Sequence, residues 1–369
     1  MKRLLAIALI AGACTNAEVA SVPPVTPSAT ERPTLTAGSE SPEAIDETAA
    51  PTPPKPANTP IPSPTPLPSD LVWFAPNMGS TDYAELFTKP DQWSEARANV
   101  DVFKFYTQNV NPHPCSICGN NTLGTFIEVR AFERLMTWGI AISVEVGAVK
   151  EWGCTGEMGF GGARDLIQGI QAHGGSVPIL AMDEPLLGGQ LVSDGRTCGH
   201  TMKQSAIATS TFVDRISAEY PHIVVGDIEP YPHFSVSDLK QWTLALAESG
   251  VTPAFFHLDV DTERVRVEDH DVASDLRDLG EFFHQHGIPF GIIFTSNWTK
   301  ADSSRGYYES TMEWVHAVHE AIGAPAHVVF QSWQGPAPSG AHEVPINLPE
   351  NDPETYSHTR LINDGLADL

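Results

Sequence analysis

The chain has 369 residues, enough for one large domain or two ordinary ones. It carries 46 acidic against 21 basic residues, and its formal net charge is −25, which disfavours binding to the phosphate backbone of a nucleic acid. After the amino-terminal segment no stretch is long and apolar enough to span a bilayer. These bounds argue against a nucleic-acid partner and against a polytopic membrane protein.

The first residues predict export. Met1-Lys2-Arg3 is basic, residues 4–10 are apolar but too few to span a membrane, and Ala11-Gly12-Ala13-Cys14 follows. Small residues ending in cysteine resemble the lipobox of bacterial lipoproteins, although Ala11 stands where leucine is usual. The resemblance implies a signal peptide over 1–14, lipidation of Cys14 and an extracytoplasmic, lipid-anchored protein at the outer membrane or cell surface. The alternative is an ordinary secretory signal with a chance cysteine.

Residues 15–69 predict a disordered tether. They are rich in Pro, Thr, Ser, Ala and Glu and almost free of aromatic residues, so they offer too little apolar surface to form a core. Proline-rich chains of this kind are semi-extended. We therefore expect the folded domain to cover residues 70–369 and to contact a membrane only through the lipid anchor.

From residue 70 short apolar runs alternate with longer amphipathic segments. We predict strands at 71–75, 102–106, 141–146, 177–183, 223–229, 254–259, 290–295 and 327–333. Helical patterns lie between them at 125–137, 163–173, 205–219, 237–248, 272–286 and 309–321, with a short one near 352–362. Eight strand–helix units predict a (β/α)8 TIM barrel. A doubly wound open sheet is the alternative, but no Gly-rich phosphate loop follows the first strand.

Four cysteines follow the tether, namely Cys115, Cys118, Cys154 and Cys198. An even number in an exported chain predicts two disulfides. A redox motif at Cys115 and Cys118 and a four-cysteine zinc site are the alternatives. We favour the pairs Cys115–Cys118 and Cys154–Cys198, since all four residues fall in loops at one rim of the predicted barrel.

Acidic residues end four consecutive predicted strands. They are Glu145 on the third strand, Asp183 and Glu184 on the fourth, Asp227 and Glu229 on the fifth, and Asp259 and Asp261 with His257 on the sixth. Because the carboxyl ends of barrel strands meet at one rim, these groups should crowd together there. Crowding raises the pKa of some carboxyls, which leaves a proton donor beside an ionised partner. Taken singly, each is equally an N-cap or a solvated charge.

Two further kinds of residue fall at the same rim. Lys104 and Lys150 are cations that either form structural ion pairs or hold an acidic sugar. Aromatic residues follow the third, fifth, seventh and eighth strands: Trp152, Tyr231, Phe234, Trp298 and Trp333. Ring faces beside carboxylates suit a sugar, whose C–H face stacks while its hydroxyls bond to acids, although each ring is equally explained by barrel packing.

Here the chain resembles the TIM-barrel glycoside hydrolases. In their largest clan the fourth strand ends in Asn-Glu-Pro, whose Glu is the acid/base, and the eighth ends near a Trp that contacts the sugar. Asp183-Glu184-Pro185 and Trp333 are similar to these features. Two departures are Asp183 in place of the Asn and the run Phe294-Thr295-Ser296-Asn297-Trp298, which has no carboxylate where the clan carries its nucleophile.

The resemblance implies a glycoside hydrolase that cleaves a poly- or oligosaccharide with two rim carboxylates. Glu184 is the expected proton donor and Glu229 the nucleophile or base, with Asp259 or Asp261 as second choice and Asp183 as a further catalytic candidate. The expected substrate-binding residues are Glu145, Asp227, Asp261, His257, Trp152, Tyr231, Trp298, Trp333 and Lys104. We expect no cofactor, a carbohydrate partner, no nucleic acid and a monomer.

Two rival interpretations remain. A metal-dependent hydrolase would use His257, Asp259 and Asp261 as ligands, with His233 or His200 nearby. Amidohydrolase barrels, however, carry His-x-His on their first strand, and residues 71–75 contain no histidine. The other rival is a tethered glycan-binding barrel that lacks catalysis.

Overall fold

A computed structural model describes residues 67–113, 115–150, 153–190, 192–193, 196–296, 303–333 and 345–369. The predicted signal peptide, Cys14 and nearly all of the predicted tether lie outside these ranges. No helix within them is both long and apolar enough to cross a membrane.

Eight parallel strands close into a barrel, which confirms the predicted (β/α)8 fold. The barrel strands are β1 (Leu71–Ala75), β2 (Val102–Tyr106), β3 (Ala141–Val146), β4 (Ile179–Asp183), β7 (Val224–Tyr231), β8 (Phe256–Val260), β9 (Phe290–Phe294) and β10 (His327–Gln331). Their order around the barrel is β1-β10-β9-β8-β7-β4-β3-β2. Two further strands of the described chain, β5 (Val192–Ser193) and β6 (Arg196–Thr197), form a small antiparallel hairpin after β4.

Helices surround the barrel. Those in the described chain are α1 (Glu85–Thr88), α2 (Ser94–Asn99), α3 (Thr107–Val110), α4 (Leu123–Glu128), α5 (Ala131–Trp138), α6 (Gly156–Ala172), α7 (Pro185–Gln190), α8 (Met202–Glu219), α9 (Val236–Glu248), α10 (Thr262–Val267), α11 (Val272–Gln285), α12 (Ser304–Ile322) and α13 (His358–Asp368), with a 3-10 turn at Pro90–Trp93. The helix predicted at 125–137 is two helices, because Arg130 adopts a left-handed backbone with φ 56°. The helix predicted near 352–362 begins later, where Ser357 caps α13.

Alternate residues of each strand face two separate apolar layers. One layer fills the barrel interior, with Trp73, Val102, Ile179, Ala181, Val224, Ile228, Phe255, Ile293 and Val329. The other lies between the strands and the helices. Side chains along a strand alternate between its two faces. A strand residue that packs in the barrel interior therefore shows that the residues next to it on the same strand face the helices. This inward or outward direction, called parity below, decides which polar residues can meet at the barrel mouth.

The amino-terminal end of the barrel is closed by rings. His257 Nε2 lies 2.9 Å from His327 Nδ1, and Trp73 meets His257 edge-on with ring centroids 4.8 Å apart. His327 Nε2 also lies 3.2 Å from the carbonyl oxygen of Pro68, and Leu67 packs against the interior layer. The open end is therefore the carboxyl-terminal mouth, where barrel enzymes carry their active sites.

Two disulfides tie loops at that mouth, as the sequence predicts. Cys115 pairs with Cys118, with Cα atoms 5.4 Å apart, and Cys154 pairs with Cys198, with Cα atoms 5.1 Å apart. The second bridge joins the loop after β3 to the loop after β4, and Cys198 Sγ lies 3.3 Å from the carbonyl oxygen of Lys150. It therefore anchors the backbone around Lys150.

Candidate active site

A lysine sits inside the barrel just below the mouth. Lys104 on β2 is fully buried, and its Nζ lies 2.5 Å from Glu145 Oε2 on β3 and 2.5 Å from Gln331 Oε1 on β10. The Gln331 amide nitrogen also lies 3.5 Å from the same Glu145 oxygen. A buried ammonium is costly unless it is paired and hydrogen bonded, and this one has both kinds of partner. Lys104 thus holds the Glu145 carboxylate from a position deeper in the barrel.

A second lysine bridges the two carboxylates at the end of β4. Lys150 Nζ lies 3.0 Å from Asp183 Oδ2 and 3.6 Å from Glu184 Oε2. Its stem crosses α7 at Gly188, where an added Cβ would come within 2.8 Å of the Lys150 side chain and 2.3 Å of the Val149 carbonyl oxygen. The glycine therefore lets the loop after β3 approach α7, and this approach brings the ammonium to both acids.

Glu184 occupies a strained backbone position. Its φ is 49°, in the left-handed region that non-glycine residues rarely adopt. The conformation is held by a bond from its N–H to the Ile228 carbonyl (3.0 Å) and one from the Gly188 N–H to its own carbonyl (2.8 Å). Strain of this kind costs on the order of 1–3 kcal/mol and concentrates at functional sites. It turns the Glu184 side chain out of the strand pattern, and its carboxyl oxygen reaches Lys150.

Carboxyls at the mouth hold their protons more tightly than usual. Burial raises the pKa of Glu184 to about 8, where Lys150 lowers it and Asp183 and Asp259 raise it further. Burial also raises the pKa of Asp259 to about 7, with Glu145 adding to the rise and Lys104 opposing it. The pKa of Glu145 is raised by burial against the opposing charge of Lys104. The mouth therefore holds carboxyls that titrate near neutral pH, as general acids and bases do.

Asp227 and Glu229 lie on the other face of β7, away from the barrel interior. Ile228 between them belongs to the interior layer, and Asp227 Oδ2 accepts a bond from Trp242 Nε1 of the outer helix α9 at 2.8 Å. Glu229 Oε1 accepts a bond from the N–H of Leu186 in α7 at 2.6 Å. Both side chains are fully buried. This corrects the expectation that they share the rim with Glu184, because the parity of β7 turns them toward the helices.

Other residues proposed for the site are also placed elsewhere. Tyr231 faces outward like Glu229, and its hydroxyl donates to Asp275 of α11. His257 lies in the closed floor, fully buried against His327. Asp261 is the N-cap of α10, where its Oδ1 accepts a bond from the Arg264 N–H at 2.9 Å. Strand parity and depth remove Tyr231 and His257 from the mouth, whereas Asp261 caps a helix close enough to Asp259 for its charge to raise the pKa of that carboxyl.

The mouth also contains polar residues that the sequence analysis did not single out. Besides Gln331, Tyr106 donates from its hydroxyl to the Ser332 carbonyl at 2.9 Å, and Asn77 donates to the Ser332 hydroxyl at 2.9 Å. Trp333 packs beside Tyr106 in a small cluster with Cys115 and Cys118. Tyr106 follows Lys104 by two residues and Gln331 follows Val329 by two, so both face the barrel interior. This spacing could have identified them from the sequence. Trp152 and Trp298 lie outside the described residues.

Within the described ranges, no group of three or more His, Cys, Asp or Glu side chains is placed to hold a metal ion. The ligands considered for a metal site are spread over the barrel: His257 is in the floor, and Asp261 caps a helix. The structure therefore does not bring the suggested ligands together.

Comparison with known proteins supports the fold. No protein-family model matches the chain, and no curated protein matches its sequence. Among solved structures, a GH5_18 protein from Streptomyces cattleya in complex with GlcNAc is similar, with a TM-score of 0.51 and 10% identity over 81% of this chain and 80% of that one. An endo-beta1,6-glucanase is similar with a TM-score of 0.50 and 11% identity over 85% and 80%. At these identities the likeness shows the shared barrel fold.

Proposed function

We propose that this barrel is an extracytoplasmic glycoside hydrolase and that Glu184 is its proton donor. The observation that carries the proposal is the placement of Glu184. It lies at the open mouth in a strained backbone conformation, contacts Lys150 beside Asp183, and has its pKa raised to about 8. A carboxyl that stays protonated near neutral pH beside a second carboxyl is the arrangement that glycoside hydrolysis requires.

Asp259 is the second carboxylate in this proposal, ahead of Glu229. Asp259 follows His257 by two residues on β8, so it shares the inward face, and its charge is felt by Glu184. Glu229 faces the helices, is fully buried and is bonded to the Leu186 N–H. Asp183, held by Lys150 at 3.0 Å, is the alternative second carboxylate.

The proposed reaction uses these groups in two roles. Glu184 gives its proton to the glycosidic oxygen as the bond from that oxygen to the anomeric carbon breaks. A water molecule adds to the anomeric carbon, and the proton it loses passes to a carboxylate of the mouth. Lys104, which is hydrogen bonded to Gln331, holds the Glu145 carboxylate in place, and that carboxylate binds a sugar hydroxyl. Carbohydrate as the ligand also agrees with the fold, which an endo-beta1,6-glucanase and a protein in complex with GlcNAc share.

The test is product release from a panel of neutral polysaccharides, measured as new reducing ends. On an active substrate, Glu184→Gln should lower kcat by about two orders of magnitude or more, the usual size of acid–base catalysis. The loss should be smaller on aryl glycosides, whose leaving groups need less protonation. Glu219→Gln, an exposed glutamate at the carboxyl end of α8, is the matched control and should keep full activity.

Full activity in Glu184→Gln on unactivated glycan would overturn the assignment. Glycan binding without any product would instead favour the non-catalytic barrel. Loss of activity on treatment with a chelator would favour the metal-dependent hydrolase.

We also propose that Cys14 is lipidated and that residues 15–66 tether the domain to a bacterial membrane. The lipobox-like Ala11-Gly12-Ala13-Cys14 run carries this proposal, and two disulfides are in keeping with an oxidising compartment. Cys14→Ser should move the protein from the membrane fraction to the soluble fraction without changing its Tm. Retention of Cys14→Ser on membranes after carbonate washing would contradict the proposal.

A further inference from the structure

A cleft of about 270 Å³ opens beside the carboxylates of the mouth. Glu145 and Asp183 form its inner end, and it runs outward between α3 and the first half of α6. The cleft thus reaches Asp183, which shares the ammonium group of Lys150 with Glu184. Small-molecule pockets usually measure roughly 300–1,000 Å³, so this one suits a single ring better than a chain.

Glycines create the space. Gly159 and Gly162 lie on the face of α6 that lines the cleft, and Gly147 and Gly153 line it from the loop after β3. A Cβ on Gly159 would come within 2.2 Å of the Ala148 carbonyl oxygen, so the helix packs directly on that loop. A Cβ on Gly162 would meet nothing within 4 Å. The position of Gly162 is therefore open toward the cleft, and a side chain there would fill it.

The walls combine an apolar surface with amides. Met158 is 57% exposed, a large apolar side chain left uncovered at the cleft edge. Opposite it, Gln108 and Asn111 line the cleft from α3 and the residue that follows it. The side chain of Gln108 is exposed and takes no hydrogen bond from another described residue. An apolar wall that faces amide groups fits a sugar ring, with its C–H face on one side and its hydroxyls on the other.

The charge of the cleft selects among sugars. Its charged lining groups, Glu145 and Asp183, are both acidic, and the neighbouring ammonium groups of Lys104 and Lys150 are engaged by them at 2.5 and 3.0 Å. Among the described residues that line the cleft, an acidic sugar would find no uncommitted cation, and the carboxylates would repel it.

We propose that this cleft is a sugar subsite next to the catalytic carboxylates, and that the substrate is an uncharged glycan with at least one further ring beyond the bond that is cleaved. This inference rests on the proposed function, because it extends the site that Glu184 serves.

Two neighbouring glycines provide a matched test. Gly161 and Gly162 are both in α6, and a Cβ on either meets nothing within 4 Å, but only Gly162 lines the cleft. Leucine at either position improves helix propensity, so both variants should fold at least as stably as the parent chain. Binding is measured by calorimetry in a Glu184→Gln background with short gluco-, xylo-, manno- and chito-oligosaccharides, and with oligogalacturonides as the acidic set.

We expect Gly162→Leu to weaken binding of the preferred neutral oligosaccharide by about tenfold or more, and Gly161→Leu to leave it within about twofold. In the chain with Glu184 intact, Gly162→Leu should raise KM, whereas Gly161→Leu should leave KM nearly unchanged. Gln108→Ala, a substitution of an exposed side chain, should also weaken binding. It replaces Gly162→Leu as the test if that variant does not fold.

Equal binding by the Gly161 and Gly162 variants would overturn the subsite, and so would a preference for oligogalacturonides. Binding of none of the sugars would contradict both proposals, whereas the first two outcomes are distinct from failure of the proposed function. That failure appears as full activity in Glu184→Gln and leaves the contrast between the two glycine variants measurable.

Discussion

Glu229 Oε1 accepts a hydrogen bond from the backbone N–H of Leu186 at 2.6 Å. The bond joins the outward face of β7 to the first turn of α7, two residues after Glu184. Burial and the neighbouring Asp227 raise the pKa of Glu229 well above its ordinary value, against the opposing bond from the Leu186 N–H. We therefore expect Glu229 to position the segment that carries Glu184.

This role predicts a contrast between two substitutions. Glu229→Gln keeps an acceptor of the same shape and should retain activity within about tenfold, whereas Glu229→Met leaves the Leu186 N–H unbonded. An unmet buried donor costs about 1–3 kcal/mol, and urea unfolding should show a loss of that size in the Met variant. A loss of activity in Glu229→Gln as large as that in Glu184→Gln would instead return Glu229 to the catalytic pair.

Asp227 predicts a dependence of stability on pH. Burial raises the pKa of Asp227 to about 8 against the opposing bond from Trp242, so the folded state binds this proton more tightly than the unfolded state. The free energy of unfolding should therefore fall as the pH rises from about 4 to about 8, by up to about 1.4 kcal/mol per unit from this group.

Asp227→Asn can still accept the Trp242 bond but cannot ionise. Between about pH 5 and about pH 8, the free energy of unfolding of this variant should fall by less than that of the parent chain. The difference between the two falls should be about 1 kcal/mol or more. Urea unfolding at the two pH values measures the difference. Parallel pH curves for both proteins would show that Asp227 does not hold its proton in the folded state.

The proposed catalytic pair predicts a bell-shaped rate profile. Asp259 must be ionised, and its pKa is about 7, so activity should fall below that pH. Glu184 must be protonated, and its pKa is about 8, so activity should also fall above that value. On an aryl glycoside, Glu184→Gln should remove the alkaline limb, while Lys150→Met should move it to higher pH because Lys150 lowers the pKa of Glu184. An unchanged alkaline limb in Glu184→Gln would assign that limb to another group.

The start of the domain predicts a difference between two truncations. Leu67 packs against the interior layer and the Pro68 carbonyl bonds to His327, so both belong to the barrel floor. Removal of residues 1–66 should leave the Tm of the domain unchanged. Removal of residues 1–69 loses an apolar contact and a hydrogen bond, and should lower the free energy of unfolding by about 1–3 kcal/mol. Equal stability of the two truncated chains would contradict this placement.

The strand and helix patterns in the sequence determined the barrel. Parallel strands buried on both faces read as continuous apolar runs, and the predicted strands 71–75, 102–106 and 141–146 agree with β1, β2 and β3. The cysteine pairs were also predictable, because loops at one end of a barrel come close together. The Asp183-Glu184-Pro185 run marked the end of β4, since proline cannot continue a ladder.

Only the tertiary structure decided which acids share the mouth. A strand buried on both faces has apolar residues at both parities, so the sequence of β7 does not show which way Asp227 and Glu229 point. Their direction is settled by Ile228, which packs in the interior, and by Trp242, which bonds to Asp227 from outside. The partnership of Lys150 with Asp183 and Glu184 was equally hidden, because it depends on a loop that crosses α7 at Gly188. Local pattern therefore determined the elements, whereas strand parity and loop packing, which depend on long-range contacts, determined the site.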